Sequence, residues 1–197
     1  MSLRFFDLTF TPEVLAAQQQ HYGRAQVLPP HGQDDVLGPS EIEFIQRRDS
    51  FYIASVSSTG WPYVQHRGGP PGFLRVLPAG ELAFADFHGN RQMLTTGNTA
   101  TNDRVCLFLM DYPRRERLKI LGHASVLDAR AHPDLVEAVA PGALQKATGR
   151  IVRIRVAAYD WNCPKYITPR HTDTDVESVV APLRARIAEL EARLAAE

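Results

Sequence analysis

The spacing of apolar residues changes near Phe51 and again in the C-terminal segment. Upstream of Phe51, apolar residues recur at a helical period of about 3.6. The pattern predicts one helix from Thr11 to Gly23, with Pro12 in its first turn, and a second over residues 40–50 with Ser40 as its cap. Residues 24–39 hold three prolines and are predicted to form a surface connection.

Downstream of Phe51 the period becomes 2, which indicates β-strands. The clearest strand is the last, "RIVRIRVAAYDW", in which Val152, Ile154 and Val156 share one face. Several such strands with few helices between them favour an antiparallel barrel over a parallel α/β sheet. We therefore expect a mainly β fold with flanking helices: an antiparallel six- or seven-stranded barrel followed by a C-terminal amphipathic helix.

The C-terminal segment carries Leu183, Ile187, Leu190 and Leu194 at spacings of 4, 3 and 4. This spacing is typical of a coiled-coil seam, here over about two heptads. Two interpretations stay open: the helix docks on its own barrel, or it pairs with a second subunit. We expect three parts: an N-terminal helix and connection over residues 1–39, a barrel domain over 40–168 and a helical extension over 169–197.

Composition narrows the class of protein. The 197 residues suffice for one domain with a sizeable core. The 22 Lys and Arg residues balance 22 Asp and Glu residues, which argues against nucleic-acid or anionic-membrane partners. With no signal peptide and no apolar run near the roughly 20 residues that span a bilayer, we expect a cytoplasmic protein. Cys106 and Cys163 are predicted to be free thiols, and the scattered histidines predict no metal site.

The stretch "FADFHGNRQM", residues 84–93, combines a strand end, a turn and a predicted helical piece over Arg91 to Thr96. A helix start offers unpaired N–H groups and a partial positive charge, so it can hold a phosphate. Arg91 in the first turn would add a charged donor fork, and Asn90 a cap or an amide donor. An ordinary connection with a solvated arginine explains the same spacing.

Two further stretches carry polar groups at strand ends. "WPYVQHRGGPPG" places Gln65, His66 and Arg67 just before a Gly-rich turn, where backbone can approach a ligand closely. "DYPRRERLKILG" places four basic residues on or before a long strand, among them Arg117. A structural histidine and a solvated basic loop are the alternatives for these two stretches.

Three stretches follow one another in an order that one family shares: "FYIASVSSTGWPYVQHRGGPPGFLRVL", "LAFADFHGNRQM" and "NDRVCLFLMDYPRRERLKILGHA". Together they resemble the FMN-binding split-barrel superfamily of pyridoxamine 5'-phosphate oxidase, in particular its flavin-nucleotide-binding branch. The resemblance covers roughly residues 40 to 128 and extends to Trp161. It implies a split barrel, FMN as the cofactor, and a homodimer with the flavin at the subunit interface.

The resemblance also implies which residues would contact the flavin: Gln65, His66, Arg67, Gly68, Ala85, Asp86, Arg91, Gln92 and Arg117. Asn90 joins them as an amide donor, and Trp161 either reaches a flavin site, its own or a partner subunit's, or is a buried structural tryptophan. The first four would lie beside the isoalloxazine ring, and Ala85 and Asp86 at the ribityl chain or phosphate. The family's phosphate-binding Arg-Lys pair falls on Arg91 and Gln92. The lysine is therefore replaced, and Arg67 or Arg117 is expected to supply the second charge. Arg117 is also expected near the ring, where it would stabilise the reduced flavin.

Departures from the family limit the function that it implies. Authentic pyridoxamine 5'-phosphate oxidases end in an Arg-x-x-Pro-type tail that helps to hold the substrate, whereas this chain continues through "DWNCPKYITPRH" into the heptad helix. We expect an FMN-dependent oxidoreductase for a small molecule other than vitamin B6, with His66 as the general-acid candidate. The alternatives are a non-catalytic flavin-binding or sensing protein, and a split-barrel enzyme that uses deazaflavin or haem.

Overall fold

Seven β-strands form the body of the protein in the computed structural model, which describes residues 2–27, 30, 32–87, 91–140, 142–161 and 164–196. The strands are β1 (Ser50–Val56), β2 (Pro62–Gly68), β3 (Arg75–Val76), β4 (Leu82–Phe87), β5 (Arg104–Asp111), β6 (Glu116–Asp128) and β7 (Thr148–Trp161). They form one antiparallel sheet in the order β2-β1-β5-β6-β7-β4-β3. The mainly β fold predicted from the change of period is thereby confirmed, with the higher of the two predicted strand numbers.

Alternation along the strands builds the core. Val152, Ile154 and Val156 of β7, which were predicted to share one face, are all buried and pack with the buried Phe51 and Ile53 of β1 in the main hydrophobic cluster. A period of 2 directs every second side chain to the same face, so one face of each long strand enters this cluster. Because the apolar side chains of that face are used in the core, polar side chains near the strand ends are available for a site.

The described part of the chain forms seven α-helices: α1 (Leu3–Thr9), α2 (Pro12–Tyr22), α3 (Pro39–Gln46), α4 (Leu94–Thr101), α5 (Pro133–Val139), α6 (Gly142–Gln145) and α7 (Asp173–Leu194). The sequence patterns did not predict α1, α5 and α6, each of at most seven residues. So short a helix shows too few periods to be recognised from the spacing of apolar residues. No helix among these residues is long and apolar enough to cross a membrane.

The two N-terminal helical predictions had different outcomes. The Thr11 hydroxyl accepts a hydrogen bond from the Val14 N–H, and α2 ends at Gly23 in the left-handed conformation with φ of 70°, both as predicted. The prediction of Ser40 as the cap of the next helix was wrong. That helix begins one residue earlier with Gly38 as its cap, and the Glu41 carboxylate accepts the Gly38 N–H at 3.0 Å.

The N-terminal region lies against the last strand. Helix α1 packs on β7, the Asp35 N–H donates to the Ala157 carbonyl at 2.9 Å, and the Asp35 carboxylate accepts the Tyr159 N–H at 3.0 Å. The chain forms two compact units, one of Met1–Met110 with Arg117–Cys163 and one of Asp111–Glu116 with Pro164–Glu197. The finer division at residues 39 and 168 stays a prediction.

Gly122 lies where the pairing of β6 with β7 shifts register. An added Cβ would lie 2.6 Å from the Arg155 backbone oxygen and 2.7 Å from a methyl carbon of Ile154. We expect Gly122→Ala to lower the free energy of unfolding by about 1–3 kcal/mol, the usual cost of overpacking, in a chemical denaturation experiment. Gly142→Ala is the control, because a Cβ there meets nothing within 4 Å. An equal fall in the free energy of unfolding in the two variants would contradict a close approach of the two backbones at Gly122.

Candidate functional site

A cavity of about 230 Å³ lies where β2, β4 and β7 meet the start of α4. Ten of the residues that the structure describes line it, from all four elements and from the segment before α4. They are Gln65, Arg67, Asp86, Phe87, Arg91, Met93, Leu94, Thr95, Thr96 and Arg150. We call it the arginine cavity. It contains four of the residues predicted to contact a flavin, namely Gln65, Arg67, Asp86 and Arg91.

Two arginines share one buried carboxylate in the arginine cavity. Asp86, which is 5% exposed, accepts a hydrogen bond from Arg67 Nη1 at 2.6 Å on one oxygen. Its other oxygen accepts a hydrogen bond from Arg150 Nε at 2.9 Å and lies 2.9 Å from Arg150 Nη2 in an ion pair. The arrangement follows from strand register, because Asp86 of β4 lies directly opposite Arg150 of β7. The carboxylate therefore fixes both guanidinium groups at the cavity wall.

The prediction that Arg91 begins a helix was wrong. Helix α4 starts at Leu94, and both Arg91 and Met93 have left-handed backbones, with φ of 61° and 58°. These conformations interrupt a right-handed helix, so Arg91 lies in a loop instead of a first turn. Arg91 nevertheless lines the arginine cavity. Asn90 lies outside the described residues.

The start of α4 faces the arginine cavity without a side-chain cap. Its N-cap residue is Met93, which offers no side-chain hydrogen bond to the first turn. Two hydrogen bonds hold the helix on the sheet: Thr95 Oγ1 donates to Gln65 Oε1 at 2.9 Å, and Asn98 Nδ2 donates to Ser55 Oγ at 3.0 Å. The N–H groups and the positive dipole end of α4 are thereby kept at the cavity.

The charge balance of the arginine cavity suits a phosphate. Among its described lining residues, three guanidinium groups face one carboxylate, which leaves an excess of two positive charges. Guanidinium remains protonated at any physiological pH and presents a donor fork that matches phosphate oxygens. A phosphate dianion would neutralise this excess and could also accept hydrogen bonds from the uncapped start of α4.

Three of the residues predicted to contact the cofactor do not line the arginine cavity: two have side chains on the opposite face of their strand, and the third is a glycine. His66 alternates with Gln65 and Arg67 along β2, so it lies on the other face of the strand, edge-on to Tyr52 at 5.6 Å between ring centroids. Ala85 is buried in the second hydrophobic cluster, on the face of β4 opposite Asp86. Gly68 ends β2 and pairs with Ser50. Their roles at a flavin stay predictions.

Arg117 and Trp161 lie at the far end of the β6–β7 pair. Leu118, next to Arg117, pairs with Trp161, whereas Asp128 pairs with Arg150 at the arginine cavity. These two pairs lie ten residues apart along β6. At about 3.3 Å per residue, this is about 33 Å of strand. Within one chain, the sheet does not bring Arg117 and Trp161 to the cavity.

Both residues have local surroundings of their own. The Trp161 indole N–H donates to Glu41 at 2.6 Å, and its ring packs edge-on against Phe44 at 4.8 Å. Arg117 lies near Asp160, which is 1% exposed. Burial raises the pKa of the Asp160 carboxyl, and the positive charges of Lys119 and, more weakly, Arg117 oppose that rise. This end of the sheet is thus a second charged region.

Sequence reasoning missed the other residues of the arginine cavity, above all Arg150. Arg150 stands at the start of the strand that the alternation predicted, but its partner Asp86 is 64 residues away in the chain. Only the register of β4 on β7 brings them together. Thr95 and Thr96 lie at the end of the helical piece predicted over Arg91 to Thr96, and their spacing gave no signal for their hydroxyls.

Two further predictions concern metal ligands and the two cysteines. Within the described ranges, no group of three or more His, Cys, Asp and Glu side chains is placed to hold a metal ion. Cys106 is a free thiol, as predicted, and burial raises its pKa, so it stays largely protonated near neutral pH. Cys163 lies outside the described residues.

Comparison with known proteins agrees with the fold. The family model for pyridoxamine 5'-phosphate oxidase matches residues 41–160. A structure of a HupZ variant from Group A Streptococcus has a TM-score of 0.50 and 12% identity, covering 64% of this chain and 100% of that chain. A candidate pyridoxamine 5'-phosphate oxidase from Lactobacillus delbrueckii has a TM-score of 0.50 and 18% identity, covering 64% and 93%. At these identities the structures support the fold alone. No curated protein matches the chain.

Proposed function

Because the chain belongs to the pyridoxamine 5'-phosphate oxidase family, we propose that it binds FMN with the cofactor's phosphate in the arginine cavity. The observation that carries this proposal is the excess of two positive charges beside the uncapped start of α4. A flavin nucleotide ends in a phosphate dianion, which has the complementary charge and acceptor oxygens.

Arg150 and Arg67 would supply the positive charge that the family's lysine provides. Gln92 occupies the lysine position and is not among the described residues that line the arginine cavity. Arg67 and Arg150 are held there by Asp86, so the phosphate would meet two pre-positioned guanidinium groups in addition to Arg91. Pre-positioned donors bind an anion at a smaller entropic cost than flexible ones.

We further propose that the protein acts as a homodimer with the flavin between subunits. Ligand pockets usually measure about 300–1,000 Å³, so a cavity of about 230 Å³ suits the phosphate end of FMN better than the whole cofactor. Arg117 and Trp161, at the far end of the β6–β7 pair, would contact the ring of a flavin held by the other copy. The isoalloxazine ring would then lie in the space between two chains.

The proposed activity is oxidoreduction of a small molecule other than vitamin B6. When bound, FMN supplies hydride and electron transfer. The chain's own contribution is to bind the phosphate, to orient Gln65 towards the cofactor and to hold α4 against the sheet through the Thr95–Gln65 hydrogen bond. His66, the predicted general acid, lies on the face of β2 opposite Gln65 and Arg67, so we propose no role for it in this site.

FMN uptake tests the proposal directly. We expect the purified protein to be yellow, or to turn yellow on incubation with FMN, with flavin absorption bands that persist through gel filtration. Oxidation of NADH or NADPH, followed at their absorption maximum, then separates an enzyme from a flavin-binding or sensing protein. A colourless protein that takes up no FMN would refute the proposal, and absorption bands of haem or deazaflavin would assign another cofactor.

A further inference from the structure

Helix α7 carries a longer apolar seam than its last two heptads. Continued towards the N-terminus, the spacing adds Val180 and Val176 to the four residues noted in the sequence. Val180, Ile187 and Leu194 then occupy the a positions of a heptad repeat. Val176, Leu183 and Leu190 occupy the d positions. The seam therefore runs over most of α7 (Asp173–Leu194).

This seam is exposed. No described residue of α7 is buried, and the side chains of Leu183, Ile187, Leu190 and Leu194 are between 42% and 72% exposed. A stripe of large apolar side chains on one helix face normally lies against a partner, because its exposure to water is unfavourable. The arrangement requires an occupant for this face.

We infer that the occupant is α7 of a second copy of this chain, paired in parallel as a two-stranded coiled coil. The choice of apolar residues supports two strands, since β-branched Val180 and Ile187 at a alternate with Leu183 and Leu190 at d. This combination favours two-stranded parallel coiled coils, although Leu194 at a and Val176 at d depart from it at the two ends of the seam.

The flanking charges favour the parallel orientation. In a parallel pair, the g residue of one helix meets the following e residue of its partner, which brings Arg186 to Glu191 on both sides of the seam. An antiparallel pair would bring g residues together, and both described g positions beside the last two heptads are arginines, Arg186 and Arg193. Arg186 also donates to Glu189 of its own helix at 2.6 Å, so the interchain pair would share its guanidinium.

Pro182 does not interrupt this seam. It lies inside α7 at a c position, away from the a and d residues, and the helix continues past it to Leu194. A proline in a helix removes one backbone hydrogen bond and its ring crowds the carbonyl four residues earlier, which favours a bend. The four residues Leu183, Ile187, Leu190 and Leu194 all follow Pro182, so this part of the seam carries the proposed pairing.

Cysteine cross-linking tests this pairing independently of flavin binding. Leu183→Cys and Leu190→Cys each place a thiol at a d position, where a parallel pair brings it opposite its own copy. We expect most of either variant to run as a covalent dimer on a non-reducing gel after treatment of the full-length protein with diamide. Ala185→Cys and Ala192→Cys are matched controls at the outward-facing f positions of the same heptads. On the same gel they should run without a covalent dimer, as the unsubstituted protein should.

Each other outcome overturns the inference. If only one of Leu183→Cys and Leu190→Cys forms a dimer, the helices pair antiparallel, because at most one of these positions then faces its own copy. If neither does, the helices pair antiparallel with both positions facing other residues, or α7 has another occupant such as the rest of its own chain. Equal cross-linking of the f-position controls would indicate random collision. An FMN titration of the same variants shows separately whether the proposed cofactor site fails.

Discussion

Replacing Asp86 with alanine is expected to lower the free energy of unfolding by about 3 kcal/mol. The carboxylate is 5% exposed and neutralises Arg67 and Arg150, whose side chains are 17% and 27% exposed. Its loss leaves two largely buried cations facing each other without a counter-ion. Their partial exposure permits some hydration, which places the expected cost at the lower end of the 3–5 kcal/mol typical of broken buried pairs.

Thermal unfolding provides the measurement. For a chain of 197 residues, about 3 kcal/mol corresponds to a fall in Tm of about 6–12 °C. Glu43→Ala is the matched control, because Glu43 pairs with Arg47 on an exposed helix surface and such pairs contribute little. A Tm for Asp86→Ala equal to that of the control would show that Asp86 does not anchor the two arginines.

Added phosphate should distinguish a charge effect from a packing effect. Asp86→Asn keeps the shape of the side chain but leaves three guanidinium groups of the arginine cavity without a carboxylate. We expect inorganic phosphate to raise the Tm of Asp86→Asn more than that of the unsubstituted protein, since a ligand of the folded state stabilises it in proportion to its affinity. Equal stabilisation of both proteins would contradict a phosphate site here.

The features that could be predicted from the sequence depend on neighbours in the chain. The ends of α2 follow from Thr11 and Gly23, which act within one turn of themselves. The buried face of β7 follows from alternation over consecutive residues. The same alternation separates His66 from Gln65 and Arg67, so the opposite placement of these side chains was already present in the spacing.

The features that could not be predicted depend on pairing between distant segments or on backbone conformation. Arg150 reaches the arginine cavity because β7 pairs with β4 in one register, and several strands of similar character could have been neighbours. Arg91 and Met93 adopt left-handed backbones. Neither residue is of a type that favours this conformation, so the sequence does not predict it. The site could be located approximately, with Arg67 among its predicted cations, but its third cation, Arg150, and its helix start could not be predicted.

Replacing Arg150 with alanine is expected to raise the Kd for FMN about 10- to 150-fold, the range that corresponds to the loss of one charged hydrogen-bonding partner of about 1.5–3 kcal/mol. The variant halves the positive excess of the arginine cavity and also releases one oxygen of Asp86 beside the phosphate. Arg91→Ala should weaken binding as well, by removing a cation without freeing a carboxylate. Fluorescence quenching of the flavin on titration gives both constants.

Two controls tie the expected loss to the phosphate. Arg153→Ala removes an arginine from the same strand, but Arg153 lies on the other face and pairs with Glu81 at 3.7 Å, so the Kd for FMN should not change. Riboflavin has the ring and the ribityl chain without the phosphate, and its weaker binding should be the same in Arg150→Ala as in the unsubstituted protein. If Arg150→Ala weakened riboflavin and FMN equally, Arg150 would act on the ring or on the fold, and the phosphate would have to be held elsewhere.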